Sequence, residues 1–291
     1  MRNVWFLITV AACSVSVTAQ VRPPDTSVKA VLAAADAYLV DYQKQLMFLL
    51  SDERSTQEAV NWTGEVTERR QTAGDLFVTF VPADRAWVAV HDVAVVDGVP
   101  VDGHETIRQL LERNTVAGVA RELFTRNARF NIGRVLRNFN EPTLALLALD
   151  RRRRSQFKFE RARVEETGAT SMVTIEFKET ERPTLVQNGG RPVYSSGEIS
   201  IEAGTGRIQR THIRLAAEGL SADLTTTYSR DQKLDLWLPS AFTERYENRT
   251  VGGARVRSVR PADSSVVRCV STYTNWRRFA AVSRFRPITA P

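Results

Sequence analysis

Cysteine is nearly absent from this sequence, which carries only Cys13 and Cys269 in 291 residues. Because Cys13 falls in an N-terminal segment that we expect to be removed, Cys269 has no partner for an internal disulfide bond. This excludes a small scaffold held together by disulfides, so the fold must depend on a hydrophobic core. Cys269 lies in the apolar stretch of residues 266–270, which predicts a buried thiol and not a catalytic one.

Histidine is also scarce, and His91, His104 and His212 lie far apart in the sequence. None has a second histidine or a carboxylate at the spacing of a zinc motif, which predicts surface or turn histidines and no metal site. A Gly-x-Ser-x-Gly nucleophile motif is missing, and Gly204-Thr205-Gly206 is followed by a strand pattern rather than by a phosphate-binding helix. These absences predict a protein that is not an enzyme and has no cofactor.

Long hydrophobic runs are missing as well, because charges interrupt every apolar stretch before the roughly 20 residues of a membrane helix. The apolar segment Val4 to Ala12 follows Arg2 and precedes the small residues Val17-Thr18-Ala19. This order predicts a signal peptide over residues 1–19, cleaved after Ala19, and a periplasmic or secreted protein. As an alternative, residues 10–13 resemble a bacterial lipobox, in which Cys13 would be acylated as a lipid anchor.

Lysine is rare too, with five lysines against 35 arginines and a formal net charge of +7. The one dense basic run is Arg151, Arg152, Arg153 and Arg154, between a predicted helix and a predicted strand. It is either a solvated loop or an anion-binding patch for lipid head groups or an acidic protein, with peripheral contact to an anionic membrane. Nucleic acid is not an expected partner, because residues 157–159 lack the glycine pattern of an RNA-binding sheet.

Helical periodicity is confined to two parts of the chain. Thr26 or Ser27 is the expected cap of a long N-terminal helix, whose apolar residues recur at three- and four-residue steps. A second helical pattern covers residues 103–149 approximately, and its last part begins a short helix at Asn140-Glu141-Pro142. We therefore expect one long helix at the N-terminus and a helical insertion in the middle of the chain.

Strand patterns fill most of the remaining sequence. Asp97-Gly98 between Val95-Val96 and Val99-Pro100-Val101 predicts a two-residue hairpin, since both turn residues tolerate positive φ. From residue 155 onward apolar and polar residues alternate in short segments joined by turns, which is typical of an antiparallel meander with one buried face. With no Pro/Gly-rich linker, residues 20–291 are expected to form a single α+β domain built on a curved antiparallel sheet.

The strand, turn and strand over residues 197–208, with Gly204-Thr205-Gly206 at the turn, resemble a segment of the LolA-like periplasmic lipoprotein-carrier superfamily. The family's Asp-Pro in this turn is replaced here by Glu202-Ala203. The order of helix, sheet and insertion over residues 27–281 is also similar to that superfamily, and to exported bacterial proteins of unknown function. The resemblance implies an unclosed β half-barrel that is plugged by helices and binds acyl chains in its concavity.

The binding function expected from this resemblance needs an apolar lining on the concave face. An acyl chain or another apolar ligand, including the acyl chain of a lipoprotein, would gain about 0.8 kcal/mol for each methylene buried there. The alternating strands supply ten candidate lining residues: Phe157, Phe159, Val173, Ile175, Phe177, Ile199, Ile201, Leu224, Tyr228 and Trp237. The alternative is that these side chains form a plain core, packed against the helices without a cavity.

Two further functions remain open from the sequence. The first is a periplasmic protein-interaction or regulatory module, with Arg151–Arg154 and an exposed sheet edge as its docking surface. The second is a lipid-anchored structural protein of the envelope. A continuous apolar cavity would favour the ligand carrier, and a filled core beside an exposed patch would favour the interaction module.

Overall fold

The computed structural model describes the chain from residue 23 to residue 279 with several gaps. The described ranges are 23–61, 63–81, 86–133, 137, 139–167, 170–188, 190–217, 220–248 and 266–279. The predicted signal peptide, with Cys13 and the cleavage site after Ala19, lies outside these residues.

Within these ranges, three α-helices form where the sequence predicts helical periodicity: α1 (Val28–Gln45), α2 (Ile107–Arg113) and α3 (Val116–Asn127). Ser27 caps α1, because its Oγ accepts a hydrogen bond from the backbone N–H of Ala30 at 3.3 Å. Thr106 and Thr115 cap α2 and α3 through their hydroxyl oxygens in the same way. The long N-terminal helix and the helical insertion are thus confirmed.

Twelve strands occupy most of the described chain, and every pair of neighbours is antiparallel. Their bounds are β1 (Leu49–Val60), β2 (Val66–Val81), β3 (Ala86–Val96), β4 (Val99–Pro100), β5 (Phe157–Thr167), β6 (Thr170–Glu179), β7 (Val186–Asn188), β8 (Arg191–Glu202), β9 (Ile208–Ala217), β10 (Leu220–Asp231), β11 (Leu236–Asn248) and β12 (Val266–Arg278).

The strands form one unclosed sheet in the order β4-β3-β2-β1-β12-β11-β10-β9-β8-β6-β5, and β7 pairs with β8. The strands β4 and β5 lie at its two ends. Strand β1 pairs with β12, so the first and the last strand meet inside the sheet. This pairing joins two sets of consecutive strands, and the α+β class with an antiparallel half-barrel is confirmed.

The hairpin between β3 and β4 has the turn that the sequence predicts. Asp97 has a φ of 49° and Gly98 a φ of 83°, so both occupy the left-handed region. Val96 and Val99 face each other directly across this turn. The two-residue loop matches the right-handed twist of the strands that flank it, which is why Asp-Gly is favoured there.

The two faces of the sheet have different covers. On what we call the inner face, α1 packs together with a short 3₁₀-helix, Leu144–Leu149. On the outer face, α2 and α3 pack against side chains of β1, β2 and β3 such as Leu50, Phe77 and Val90. Successive side chains of a strand point to opposite faces, and accordingly Leu49 belongs to the inner cluster and Leu50 to the outer one.

The helical insertion passes from one face to the other around the edge at β3. It begins with α2 on the outer face, continues with α3 against β3, and ends with Leu144–Leu149 on the inner face. The described residues 128–133, 137 and 139–143 therefore belong to the crossing. The sequence predicts a regular short helix after Asn140-Glu141-Pro142, whereas this helix is a 3₁₀-helix whose six residues are all buried.

A glycine in the turn between β8 and β9 allows α1 to approach the sheet closely. Gly206 has a φ of 71°, and a Cβ atom there would lie 2.1 Å from the backbone oxygen of Ala34 in α1. Any other residue would therefore push α1 away from the inner face. The glycine at position 206 is thus explained by helix packing.

Candidate functional site

The ten predicted lining residues come together on the inner face. Phe159 and Trp237 are partly buried, and the others belong to the buried inner core: Phe157, Val173, Ile175, Phe177, Ile199, Ile201, Leu224 and Tyr228. The exposed fractions of Val173 and Ile201 are 0%, which leaves no water-sized space beside them. In the described part of the chain, the centre of this face is filled, and a ligand could lie there only if one of its covers moved.

One of these covers is the segment Leu144–Leu149, which we call the plug. Its side chains are Leu, Ala, Leu, Leu, Ala and Leu, and all six are buried. Just before it, the carbonyl oxygen of Pro142 accepts hydrogen bonds from Thr226 Oγ1 at 2.7 Å and from the Tyr228 hydroxyl at 3.2 Å. The plug is therefore an apolar filler with a polar attachment at its N-terminal end.

The second attachment of the plug involves the arginine run. Arg154 forms an ion pair with Asp36 of α1, with 2.6 Å between Nη2 and Oδ1, and the same nitrogen lies 3.4 Å from the backbone oxygens of Leu32 and Leu149. Arg154 thus ties the end of the plug to α1. Arg154 therefore makes an internal contact. Of the other residues of the predicted anion-binding patch, Arg151 and Arg152 are exposed and Arg153 is half-buried.

An open groove of about 650 Å³ lies beside the C-terminal part of α1, and Trp237 borders it. We call it the mouth groove. The Arg207 guanidinium lies over the Trp237 ring at 5.2 Å, and the hydroxyl of Tyr42 donates to the Trp237 backbone oxygen at 2.7 Å. Tyr38 stacks on Tyr42 with 5.2 Å between ring centroids. The groove therefore combines aromatic surface with charged groups at its rim.

A polar layer on the inner face was not foreseen from the sequence. The two ring nitrogens of His91 face Glu53 Oε2 at 2.7 Å and the Asn140 backbone oxygen at 2.8 Å. Both partners accept hydrogen bonds, so the ring satisfies both when it is protonated. Burial by itself lowers the pKa of His91, but the Glu53 carboxylate and the Asn140 carbonyl raise it above the ordinary value. The prediction of a surface or turn histidine is wrong for His91.

A second buried ion pair lies next to this histidine. Arg137 of the insertion donates to Glu244 of β11 and, at 3.2 Å, to Asn131 Oδ1. The hydroxyl of Tyr246 donates to the other Glu244 oxygen at 2.8 Å. Partners separated by 107 residues leave no local signal in the sequence, which is why the pair was missed.

The polar layer surrounds a small cavity of about 40 Å³. This cavity adjoins an open pocket of about 190 Å³ between β3 and α3, and the two share five lining residues: His91, Asn127, Asn131, Arg137 and Asn140. Ala89, Val90, Ala120 and Phe124 also line the open pocket. We call the cavity and the open pocket together the polar pocket.

The remaining candidate groups have structural roles. Asp92 accepts hydrogen bonds from His104 and Arg126 at 2.9 Å each, and from the backbone N–H of Ile107 at the start of α2. Cys269 is buried, and burial raises the pKa of its thiol to about 12. Within the described ranges, no group of three or more His, Cys, Asp or Glu side chains is placed to hold a metal ion. None of the helices there combines the length and the apolar character that a membrane span needs.

These features define an unclosed antiparallel half-barrel that is filled on its inner face by a helix and an apolar plug. No family model and no curated protein matches the chain. Among solved structures, a LolA superfamily protein from Nitrosomonas europaea is 13% identical, with a TM-score of 0.31 over 88% of this chain and 94% of that chain.

Two other solved structures are similar in the same way. A putative outer membrane lipoprotein-sorting protein domain from Vibrio parahaemolyticus is 9% identical, with a TM-score of 0.35 over 87% of this chain and 94% of that chain. A DUF1329 family protein from Desulfovibrio piger is 10% identical, with a TM-score of 0.36 over 90% of this chain and 96% of that chain. Each of these likenesses concerns the architecture alone, and none of them assigns this chain to a family.

Proposed function

We propose that the protein is an exported carrier that binds an acyl chain or a similar apolar ligand on the inner face, without catalysing a reaction. The observation that carries this proposal is the plug. Six consecutive apolar residues, Leu144–Leu149, are buried against the open sheet although they form only a short 3₁₀-helix. The ligand would take the place of the plug side chains.

The chemistry of the plug supports such an exchange. Four leucine and two alanine side chains present to the sheet the same methyl and methylene groups that an acyl chain presents, so the inner face loses little apolar contact when one replaces the other. A 3₁₀-helix has weaker hydrogen-bond geometry than an α-helix, so its displacement breaks few strong bonds. The polar ties at Pro142 and Arg154 would then keep the plug in place when no ligand is bound.

The mouth groove fits the polar end of an amphipathic ligand. Tyr38 and Trp237 offer aromatic surface near the inner core. The lining also holds Arg207 and Arg230, which are ion-paired with Glu202 and Asp235. An acyl chain could lie under α1 while a head group or a peptide stays in the groove. This arrangement resembles other ligand sites in which apolar walls are combined with a few polar groups.

A location in the periplasm or outside the cell belongs to the same proposal. It is supported by the signal-peptide pattern of residues 1–19. The exposed Arg151 and Arg152 would allow peripheral contact with an anionic membrane surface.

The proposal is tested on the protein of residues 20–291 purified from its native envelope. We expect organic extraction and mass spectrometry to recover lipid in stoichiometric amount, and the delipidated protein to bind a fluorescent fatty acid that unlabelled acyl chains displace. Arg154→Ala should speed the uptake of the fatty acid, because it releases the plug from α1. The control Arg151→Ala removes the same charge from an exposed position and should leave uptake unchanged. If neither lipid nor displacement is found, the carrier function is wrong.

One observation favours the interaction module as a second candidate. The centre of the inner face is filled, while Arg151, Arg152 and residues 160–167 of the terminal strand β5 are all exposed. Such a surface can bind an acidic protein without any ligand cavity. In this case the purified protein would hold no lipid but would retain an envelope protein, and Arg151→Glu with Arg152→Glu would abolish that retention.

A further inference from the structure

We propose that the polar pocket at the β3 edge is a second binding site, which takes one uncharged sugar ring or a polyol of similar size. It is separate from the apolar ligand site of the proposed function, because its floor consists of the buried ion pairs and not of the leucine-rich plug. Its polar lining includes Glu53, Ser55, Gln57, Thr72, His91, Asn127, Asn131, Arg137 and Asn140.

Three polar atoms of this lining are buried without a hydrogen-bond partner among the described residues. They are Ser55 Oγ, Asn127 Oδ1 and Arg137 Nε. Ser55 and Arg137 are each only 8% exposed. Buried polar groups are nearly always paired in folded proteins, so several unpaired ones around one cavity indicate a bound polar group.

The unpaired atoms specify the chemistry of that group. The Arg137 Nε–H donates, Asn127 Oδ1 accepts, and the Ser55 hydroxyl can do either. A ligand must therefore offer both a donor and an acceptor within a small space. A hydroxyl group does this, and neighbouring hydroxyls on one ring can satisfy the three atoms together.

The charges around the pocket favour an uncharged ligand. With His91 protonated, the positive charges of His91 and Arg137 are matched by the carboxylates of Glu53 and Glu244. Because these four charges cancel, a bound anion or cation would bring an uncompensated charge into a buried region.

The size and the walls of the pocket suit a single ring. The open part measures about 190 Å³, which is below the range of about 300–1,000 Å³ for drug-sized ligands. Phe124 contributes an aromatic ring to the wall although its side chain is 54% exposed. An aromatic ring in this position can pack against the C–H face of a sugar while the hydroxyls reach the polar floor.

The test uses titration calorimetry on the protein of residues 20–291 with a panel of methyl glycosides as neutral probes. Matched charged probes are a uronic acid and an amino sugar. We expect saturable binding of at least one neutral probe and binding at least about tenfold weaker for its charged analogues.

Variants then locate the binding. Ser55→Ala and Phe124→Leu should each weaken the binding of the neutral probe about tenfold. Ser51→Ala is the matched control, because Ser51 Oγ is also buried without a partner on the same face of β1 but does not line the pocket. Ser51→Ala should bind the probe as tightly as the unchanged protein. The melting temperatures of Ser51→Ala and Ser55→Ala should both lie within about a degree of that of the unchanged protein.

Three results would overturn the proposal. The first is that no neutral probe binds, as expected for a cavity that holds only water. The second is that charged analogues bind as tightly as the neutral sugar. The third is that Ser51→Ala and Ser55→Ala weaken binding equally, which would assign the effect to the packing of β1.

Discussion

Arg137 and Glu244 form an ion pair inside the protein, with 8% and 3% of their surfaces exposed. Arg137 belongs to the segment that crosses the β3 edge, and Glu244 belongs to β11 near the middle of the sheet. The pair therefore anchors the helical insertion to the inner face by charge as well as by apolar packing.

Replacing Arg137 by methionine should destabilise the protein by about 3–5 kcal/mol, because Glu244 is left buried without its cation. The double variant Arg137→Met with Glu244→Leu should be more stable than this single variant, since no charge is then isolated. Urea unfolding of the two variants and the unchanged protein measures both effects. A single variant that loses less than the double variant would contradict the prediction.

Replacing Gly206 by alanine should also lower the free energy of unfolding. The left-handed backbone there costs an alanine about 1–2 kcal/mol, and its Cβ would meet the Ala34 backbone oxygen at 2.1 Å. Gly98→Ala is the control, because Gly98 also has a positive φ but nothing lies within 4 Å of its added Cβ. Thermal unfolding should show a clearly larger loss for Gly206→Ala, and equal losses would mean that α1 yields to the new side chain.

Stability should fall as the pH rises from 5 to 8. Burial raises the pKa of Glu141 to about 7, whereas the same carboxyl ionises near 4.5 in the unfolded chain. Between these values the folded state holds a proton that the unfolded state has lost, so each rise in pH favours unfolding. The raised pKa of His91 acts in the same direction, because its stabilising charge is present below its unfolded pKa and is lost above its folded one.

Calorimetric melting temperatures across this pH range measure the effect. Glu141→Gln should flatten the decrease, since glutamine stays neutral at every pH. An unchanged pH dependence in Glu141→Gln would show that this carboxyl is not the group that titrates.

The thiol of Cys269 should be inert in the folded protein, because it is buried and its pKa is raised to about 12. In the protein of residues 20–291, a thiol reagent at pH 8 should react only as fast as the chain unfolds, and should find one thiol per chain in guanidinium. Complete reaction within seconds under native conditions would contradict this.

The features that could be predicted from the sequence depend on neighbouring residues. Ser27 lies three residues before the Ala30 amide that it caps, and Asp97-Gly98 forms its turn with the residues on either side. The alternation around Ile175 and Ile199 predicts side chains on one face, and the structure has these residues in one buried cluster, because a strand turns successive side chains to opposite sides. Such signals are contained in a few consecutive residues.

The polar layer could not be predicted in this way. His91 contacts Glu53, which is 38 residues away in the sequence, and Arg154 pairs with Asp36, which is 118 residues away. Only the strand order brings these partners together. The plug differs for another reason: a helical pattern is interpreted with one face in solvent, whereas Leu144–Leu149 is enclosed on all sides.

If the chain is exported as proposed, the pairing between β1 and β12 makes the order of folding steps important. Asp52 meets Arg277 across 225 residues, so the join between the two halves of the sheet cannot form until the C-terminal strand has been delivered. A polypeptide threaded through a secretion channel with its N-terminus first would thus stay open for most of its passage, with β1 exposed as a bare edge. Whether such a chain folds without aggregating would depend on how quickly β12 becomes available to pair with β1, or on a chaperone that covers β1 until then.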